Sequence, residues 1–422
     1  MEREICITAK NGIKIHATPT SHLHGFSLSL FLRAGSMYER DAESGITHFL
    51  EHIAIRNVNA VMNGELYSLL DKHGLEFNAS SFSEMVQFYV VGSCAKLAVG
   101  ARLLSLLLSP IILSSAEIER ERSRIKAEIR ESDERTSLSG FSNKIVYEGA
   151  SLANPITGTL GSVNAITARR LEEYRKRVFT RDNVFIYATG ALTDTDLVLI
   201  ADSFDTPLPD GEPNLNFAPV PEKFGRREPS VHIKNADFTM LRFTFDMDMS
   251  KVGVVESDLL YEILLGANSS RFYIELSENK GLFYDVSGST ERYRNIGSFV
   301  FSFEVRPDKI YEATEGVLGI LTRLKSDLLS EDECMKAGYV DNALLLFDDV
   351  RELNFTMAYD NCIMGLGYDG LEERAAAYRR VSPESLRAAA REIFKPSNLT
   401  LAIKGNKRKI DAARLNALIS EF

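Results

Sequence analysis

Residues 44–53 read Ser-Gly-Ile-Thr-His-Phe-Leu-Glu-His-Ile, SGITHFLEHI. Ile46, Phe49, Leu50 and Ile53 recur at i, i+3, i+4 and i+7, the spacing of one apolar helix face, and Ser44 stands at the N-cap position. His48, Glu51 and His52 then fall together on the opposite side, which burial of the apolar face does not explain. The chain has 7 histidines in 422 residues, so two of them one helical turn apart call for a physical reason. Imidazoles at i and i+4 lie one above the other and can reach a single ion. Glu51 points beside such an ion, where a base acting on water at the metal belongs.

A catalytic zinc site takes three protein ligands and leaves one position open. The stretch SSAEIERERSRIKAEIRESDERTS, 114–137, reads as a charged helix whose sparse apolar positions, Ile118, Ile125 and Ile129, mark its buried side. Glu121 and Glu128 lie seven apart on the flank of that stripe. A carboxylate at the edge of a buried face is costly unless paired or bound to metal. Glu128 is the candidate third ligand, and Glu121 the candidate acceptor behind a ligand histidine or a structural partner. The competing reading is a surface helix laced with Glu/Arg pairs.

Around these helices the chain repeats itself. VNAITARRLEEYRKRVFTRDNVFIYATG (163–190) aligns with YRRVSPESLRAAAREIFKPSNLTLAIKG (378–405), each running cap, amphipathic helix, turn, short buried strand and glycine. Thr167 and Ser382 take the N-cap positions and Pro383 the first helical one. Upstream, 66–92 and 272–305 both read as helix, glycine turn and strand hairpin. The expectation is an α+β chain of two duplicated halves: 1–208 carrying the metal, a proline-rich linker at 209–229, and 230–422 without metal.

Composition narrows the partners. The net charge is −10 and the pI about 5.4, with no Lys/Arg cluster interleaved with aromatics, so neither nucleic acid nor an anionic membrane is expected. The longest apolar run, 97–113, contains Arg102 and Pro110 and is too short to span a bilayer; it reads as a buried helix. The first residues alternate as two strands about Asn11-Gly12 and show no signal-peptide pattern. Four scattered cysteines without CxxC spacing suit a reducing, cytoplasmic setting.

Taken together, the motifs resemble those of the pitrilysin/insulinase group of zinc peptidases with the inverted His-x-x-Glu-His motif, most closely the mitochondrial-processing-peptidase-like branch. FLRAGSMYERDAESGITHFLEHIA (31–54), IERERSRIKAEIRES (118–132), LGSVNAITARRLEEYRKRVFTRDNVFIYATG (160–190) and SSRFYIELSENKGLFYDVSG (269–288) carry the likeness over nearly the whole chain. The resemblance implies the LuxS/MPP-like metallohydrolase fold, two largely antiparallel mixed sheets covered by helices. It implies Zn²⁺ held by His48, His52 and Glu128, with Glu51 as base and Glu121 behind the ligands. It also implies an extended peptide added as a strand beside Asn78, Ala79, Ser80 and Ser81, because such addition reads backbone. The family's second half uses an Arg and a Tyr seven apart on the substrate. Tyr284 stands at the tyrosine's place, but Ser277 replaces the arginine and cannot supply a permanently charged bidentate donor.

The matching second-half helix, 256–267, has no histidine, so one metal per chain is expected. The reading that reconciles a complete ligand set with Ser277 is a zinc endopeptidase subunit acting on unfolded or extended peptides, of processing or leader-peptide type. A related partner chain would supply the Arg/Tyr pair in a heterodimer. A homodimer in which Tyr284 suffices is the second choice. The alternative from another class is a non-catalytic structural or substrate-recruiting subunit.

Overall fold

The structure, a computed structural model, describes residues 3–132, 137–221, 229–231 and 238–422. The alternating N-terminus forms β1 (Ile5–Thr8) and β2 (Lys14–Pro19), paired antiparallel. Gly12 in the turn between them has φ 91°, a left-handed conformation that favours glycine. The chain continues through β3 (Gly25–Leu32), α1 (Ile46–Val61), α2 (Leu66–His73), β4 (Glu76–Ser81), β5 (Val86–Ser93), α3 (Leu97–Ser105), α4 (Ser115–Glu131), α5 (Leu138–Val146) and β6 (Val184–Gly190). Six strands make one sheet in the order β1-β2-β6-β3-β5-β4, in which only β2 and β6 run parallel.

The second sheet contains β7 (Ser230–Val231), β8 (Thr239–Asp248), β9 (Val286–Arg292), β10 (Ile296–Val305) and β11 (Leu399–Lys404), ordered β7-β11-β8-β10-β9. Its one parallel pair, β7 and β11, occupies the place of β2 and β6. Strand for strand, this is the order β2-β6-β3-β5-β4 repeated, in an α+β chain of two halves. The repeat extends to capping. Thr167 and Ser382 each accept the third backbone N–H of their helices, Ala168–Val178 and Pro383–Ile393, and Pro383 opens the second.

The compact units are not two consecutive stretches. One comprises 1–132, 154–216 and 343–374; the other comprises 133–153, 217–342 and 375–422. Within the first, helix Val350–Ala358 lies on β3 and β6. Its buried Asn354 accepts from Ser29 Oγ at 2.6 Å and donates to the carbonyls of Ser27 at 3.1 Å and Tyr187 at 3.0 Å. Within the second, α5 lies on β8 and β11, and Tyr147, just past its end, meets Ser298 Oγ at 2.8 Å. In both, polar residues of a sheet find partners on, or just past the end of, a covering helix distant in sequence.

One local expectation differs. The run 97–113 does not stay helical: α3 stops at Ser105 and a short 3₁₀ turn ends at Leu108. Pro110 cannot donate a helical N–H and disfavours helix in the residue before it. Of the linker expected over 209–229, residues 222–228 lie outside the described residues. Asn214, within it, is fastened to the first unit through Asn183 Oδ1 and the Arg33 carbonyl, at 2.8 and 2.6 Å. Among the described residues no helix is long and apolar enough to cross a membrane.

Replacing Asn354 by Ala removes the acceptor of the buried Ser29 hydroxyl, which keeps only the Gln87 Nε2 donor, and takes a donor from the Ser27 and Tyr187 carbonyls. The expected cost is about 2–3 kcal/mol, read as a lower urea midpoint; an unchanged midpoint would show that this helix is not fastened through Asn354.

Candidate metal centre

The register of α1 depends on a buried carboxylate. Ser44 is not the N-cap: Gly45 is, at φ 86°, with no side-chain cap of its own. Glu39 does the capping, accepting the N–H groups of Gly45 at 2.8 Å and Thr47 at 2.9 Å. Burial pushes the Glu39 carboxyl upward, and these same donors pull it back. A side chain at Gly45 would collide with the backbone at Thr157 and Gly158, whose atoms come within 2.7–2.8 Å of a Cβ there. Thr47 Oγ1 and Tyr174 OH meet at 2.6 Å. Ile46, Phe49, Leu50 and Ile53 are buried in the core, which turns His48, Glu51 and His52 to the other side.

α4 starts at a reciprocal cap between Ser114 and Glu117 and buries Ile118 and Ile125. Glu128 comes to the two imidazoles. Its carboxylate oxygens lie 3.5 Å from His48 Nε2 and 3.6 Å from His52 Nε2, and the rings stand 4.7 Å apart at 70°. One ligand atom from each of the three residues lies within 4.8 Å of the other two. Tetrahedral zinc with ligands at about 2.0–2.2 Å sets them about 3.3–3.5 Å apart, so the donor set fits. Burial holds the His48 imidazole down to about 4. His52 is lowered as well, by burial first and then by His48. Both rings are therefore neutral at pH 7, the form that ligates metal. His48 Nδ1 is buried with no hydrogen-bond partner among the described residues, so its ring interacts through Nε2.

Glu121 is buried and lies 3.6 Å from His52 Nδ1, with Arg124 at 3.3 Å and Arg56 at 3.9 Å on its other oxygen. Glu51 is buried too, and Ser81 Oγ donates to its Oε2 at 2.7 Å. Burial raises the Glu51 carboxyl to about 7; Glu128 adds to the rise and Ser81 opposes it. A cation beside Glu51 would favour its charged form.

Ser81 ends β4, the last strand of its sheet. Phe82 donates to the Met85 carbonyl at 2.8 Å. By the alternation of an antiparallel ladder, the backbone groups of Phe77, Ala79 and Ser81 then face away from β5. The Ala79 N–H accordingly meets its neighbour's side chain, Asn78 Oδ1, at 2.9 Å. Asn78, Ala79, Ser80 and Ser81 thus lie on an open strand edge joined to α1 by the Ser81–Glu51 bond. Tyr284 belongs to the second unit. Its side chain is 95% exposed, and its carbonyl accepts from Ser277 Oγ at 3.3 Å. Sequence reasoning missed Glu39, six residues before Gly45, because no local spacing marks a carboxylate that folds back onto a helix start.

Comparison with known proteins places the chain in a family and matches its fold. A family model described as insulinase (peptidase family M16) matches residues 17–160, and one described as the peptidase M16 inactive domain matches 165–337. Between them they cover most of the chain. An uncharacterised zinc protease of Streptomyces coelicolor is 23% identical over 434 aligned residues, covering 98% of this chain and 92% of that protein. A protease from Helicobacter pylori has the same fold, with a TM-score of 0.84 at 17% identity over 96% of this chain and 100% of that one. A Pseudomonas fluorescens protein described as a peptidase M16 inactive domain superposes with a TM-score of 0.84 at 17% identity, covering 95% and 98%.

Replacing Glu121 by Ala removes the carboxylate behind His52 and leaves the three proposed ligands in place. Zinc affinity, measured by chelator competition, should fall about 10- to 100-fold; unchanged affinity would make Glu121 a packing residue only.

Proposed function

The chain belongs to the insulinase (M16) family of peptidases, and we propose that it is a zinc-dependent endopeptidase subunit acting on extended peptides. The observation that carries this reading is the convergence of His48, His52 and Glu128, with Glu51 tied through Ser81 to an open strand edge. When bound there, zinc supplies Lewis acidity, polarising a carbonyl and making water a better nucleophile near neutral pH. The peptide lies along β4 as an added strand, paired with the outward N–H and C=O groups of Phe77, Ala79 and Ser81. The Asn78 side chain swings off the Ala79 N–H to admit it, and Asn78 and Ser80 flank the strand. The Glu51 carboxylate takes the proton of the attacking water and hands it to the departing amine. Ser81 Oγ holds that carboxylate in place. Glu121 steadies the His52 ring through Nδ1.

With Ser277 at the arginine's place, a related partner chain supplies the Arg/Tyr pair for the developing oxyanion, so a heterodimer is the favoured assembly; a homodimer in which Tyr284 suffices is the next. None of the four cysteines is in a disulfide, which supports a reducing, cytoplasmic setting. The second reading, a non-catalytic subunit that recruits peptide, draws its support from Ser277.

Glu51→Gln should keep the zinc content of the wild type and lose about a hundredfold or more of its turnover of a quenched peptide, assayed with and without the partner chain. Retained turnover would remove Glu51 from the role of base. A zinc-loaded wild type inactive in both assays would favour the non-catalytic reading.

A further inference from the structure

A second group of ligating side chains lies in the first unit, on elements the proposed reaction does not use. Glu4 directly precedes β1, His16 lies in β2, and Cys362 lies in the helical turn Tyr359–Met364. One ligand atom from each lies within 4.8 Å of the other two. All three are sheltered: the Glu4 and His16 side chains are 13% and 20% exposed, and Cys362 is buried.

We propose that Glu4, His16 and Cys362 form a structural site for a zinc-like divalent ion. The donors are a thiolate, an imidazole and a carboxylate, the mixed sulfur, nitrogen and oxygen set that suits zinc. The groups behind them are in position as well. Glu4 Oε2 accepts from Tyr187 OH at 3.2 Å and from Asn361 Nδ2, which leaves Oε1 facing His16 Nδ1 at 2.8 Å. Tyr187 OH is in turn held by Thr18 Oγ1 at 2.9 Å, and the Tyr187 ring stacks parallel on His16. Arg33 donates to the Cys362 carbonyl at 2.6 Å, fixing the turn that carries the thiol. Outer hydrogen bonds of this kind orient metal ligands.

At 2.8 Å, His16 and Glu4 share a proton in a hydrogen bond. Ligands of one zinc ion stand about 3.3 Å apart, so the ion replaces that proton after an opening of about half an ångström. Binding releases the Cys362 thiol proton to solvent. The His16 ring proton moves to Nε2, which faces Cys6 Sγ at 3.9 Å. No redox change is involved. The ion would cross-link residues 4 and 16 to residue 362, closing most of the chain into one loop and fastening segment 343–374 to its sheet.

The test uses the full-length chain carrying His48→Ala and His52→Ala, which disables the other centre, loaded with Co²⁺. The result expected is about one equivalent of retained cobalt, with a near-ultraviolet thiolate-to-cobalt charge-transfer band that a centre of imidazoles and carboxylate cannot give. Adding Cys362→Ser removes the band, whereas adding Cys6→Ser leaves it. Glu4→Gln, a milder change, weakens cobalt binding at least about tenfold without altering melting of the metal-free protein. No retained cobalt, no charge-transfer band, a band that survives Cys362→Ser, or unchanged affinity in Glu4→Gln would each overturn the site. Because the first centre is disabled throughout, none of these outcomes bears on the peptidase reading.

Discussion

On α1 the His48 imidazole is buried and that of His52 is only 23% exposed, and the candidate metal centre depends on that shelter. Desolvation keeps His48 and His52 neutral near pH 7, so what they offer the Glu128 carboxylate is lone pairs rather than positive charge. A carboxylate 3.5–3.6 Å from two neutral rings gains little from them directly. A divalent cation among the three satisfies all of them together, because both neutral imidazole and carboxylate donate to such an ion. This is why the arrangement reads as a centre rather than as a salt bridge.

The rest of the unit keeps these groups from rearranging. Glu39 and Gly45 set where α1 begins, Tyr174 anchors its first turn through Thr47, and Ile118 and Ile125 seat α4 against the core. The base is coupled to the strand edge by one hydrogen bond, Ser81 Oγ to Glu51 Oε2. That bond fixes the carboxylate relative to the backbone groups proposed to receive the peptide. Sites built on helices and strands keep their geometry better than sites on loops, and all of these residues except Glu39 and Gly45 lie within helices or strands.

What could be read in the sequence was local. The apolar stripe of α1, the caps at Thr167 and Ser382, the Asn11-Gly12 turn and the repeated helix–turn–strand order each depend on neighbours a few residues away. The flank position of Glu121 and Glu128 follows from helical periodicity alone. Contacts formed across the chain were not legible. Glu39 reaches back over a loop to cap a helix for which Ser44 looked sufficient. Asn354 satisfies Ser27 and Ser29 from 327 and 325 residues away and Tyr187 from 167. Glu4, His16 and Cys362 show no mutual spacing and meet only because segment 343–374 returns to the first sheet. Even the apolar run at 97–113 is helical and largely buried only up to Leu108, and near Pro110 the helix has ended and Ile112 is exposed.

The most direct measurement is an anomalous difference map at the zinc absorption edge, from crystals of the chain grown with zinc. The account predicts a strong peak bonded to His48 Nε2, His52 Nε2 and the Glu128 carboxylate, with Glu51 beside the ion but not bonded to it. No peak at those three side chains, or one with Glu128 turned away and another group in its place, would contradict it.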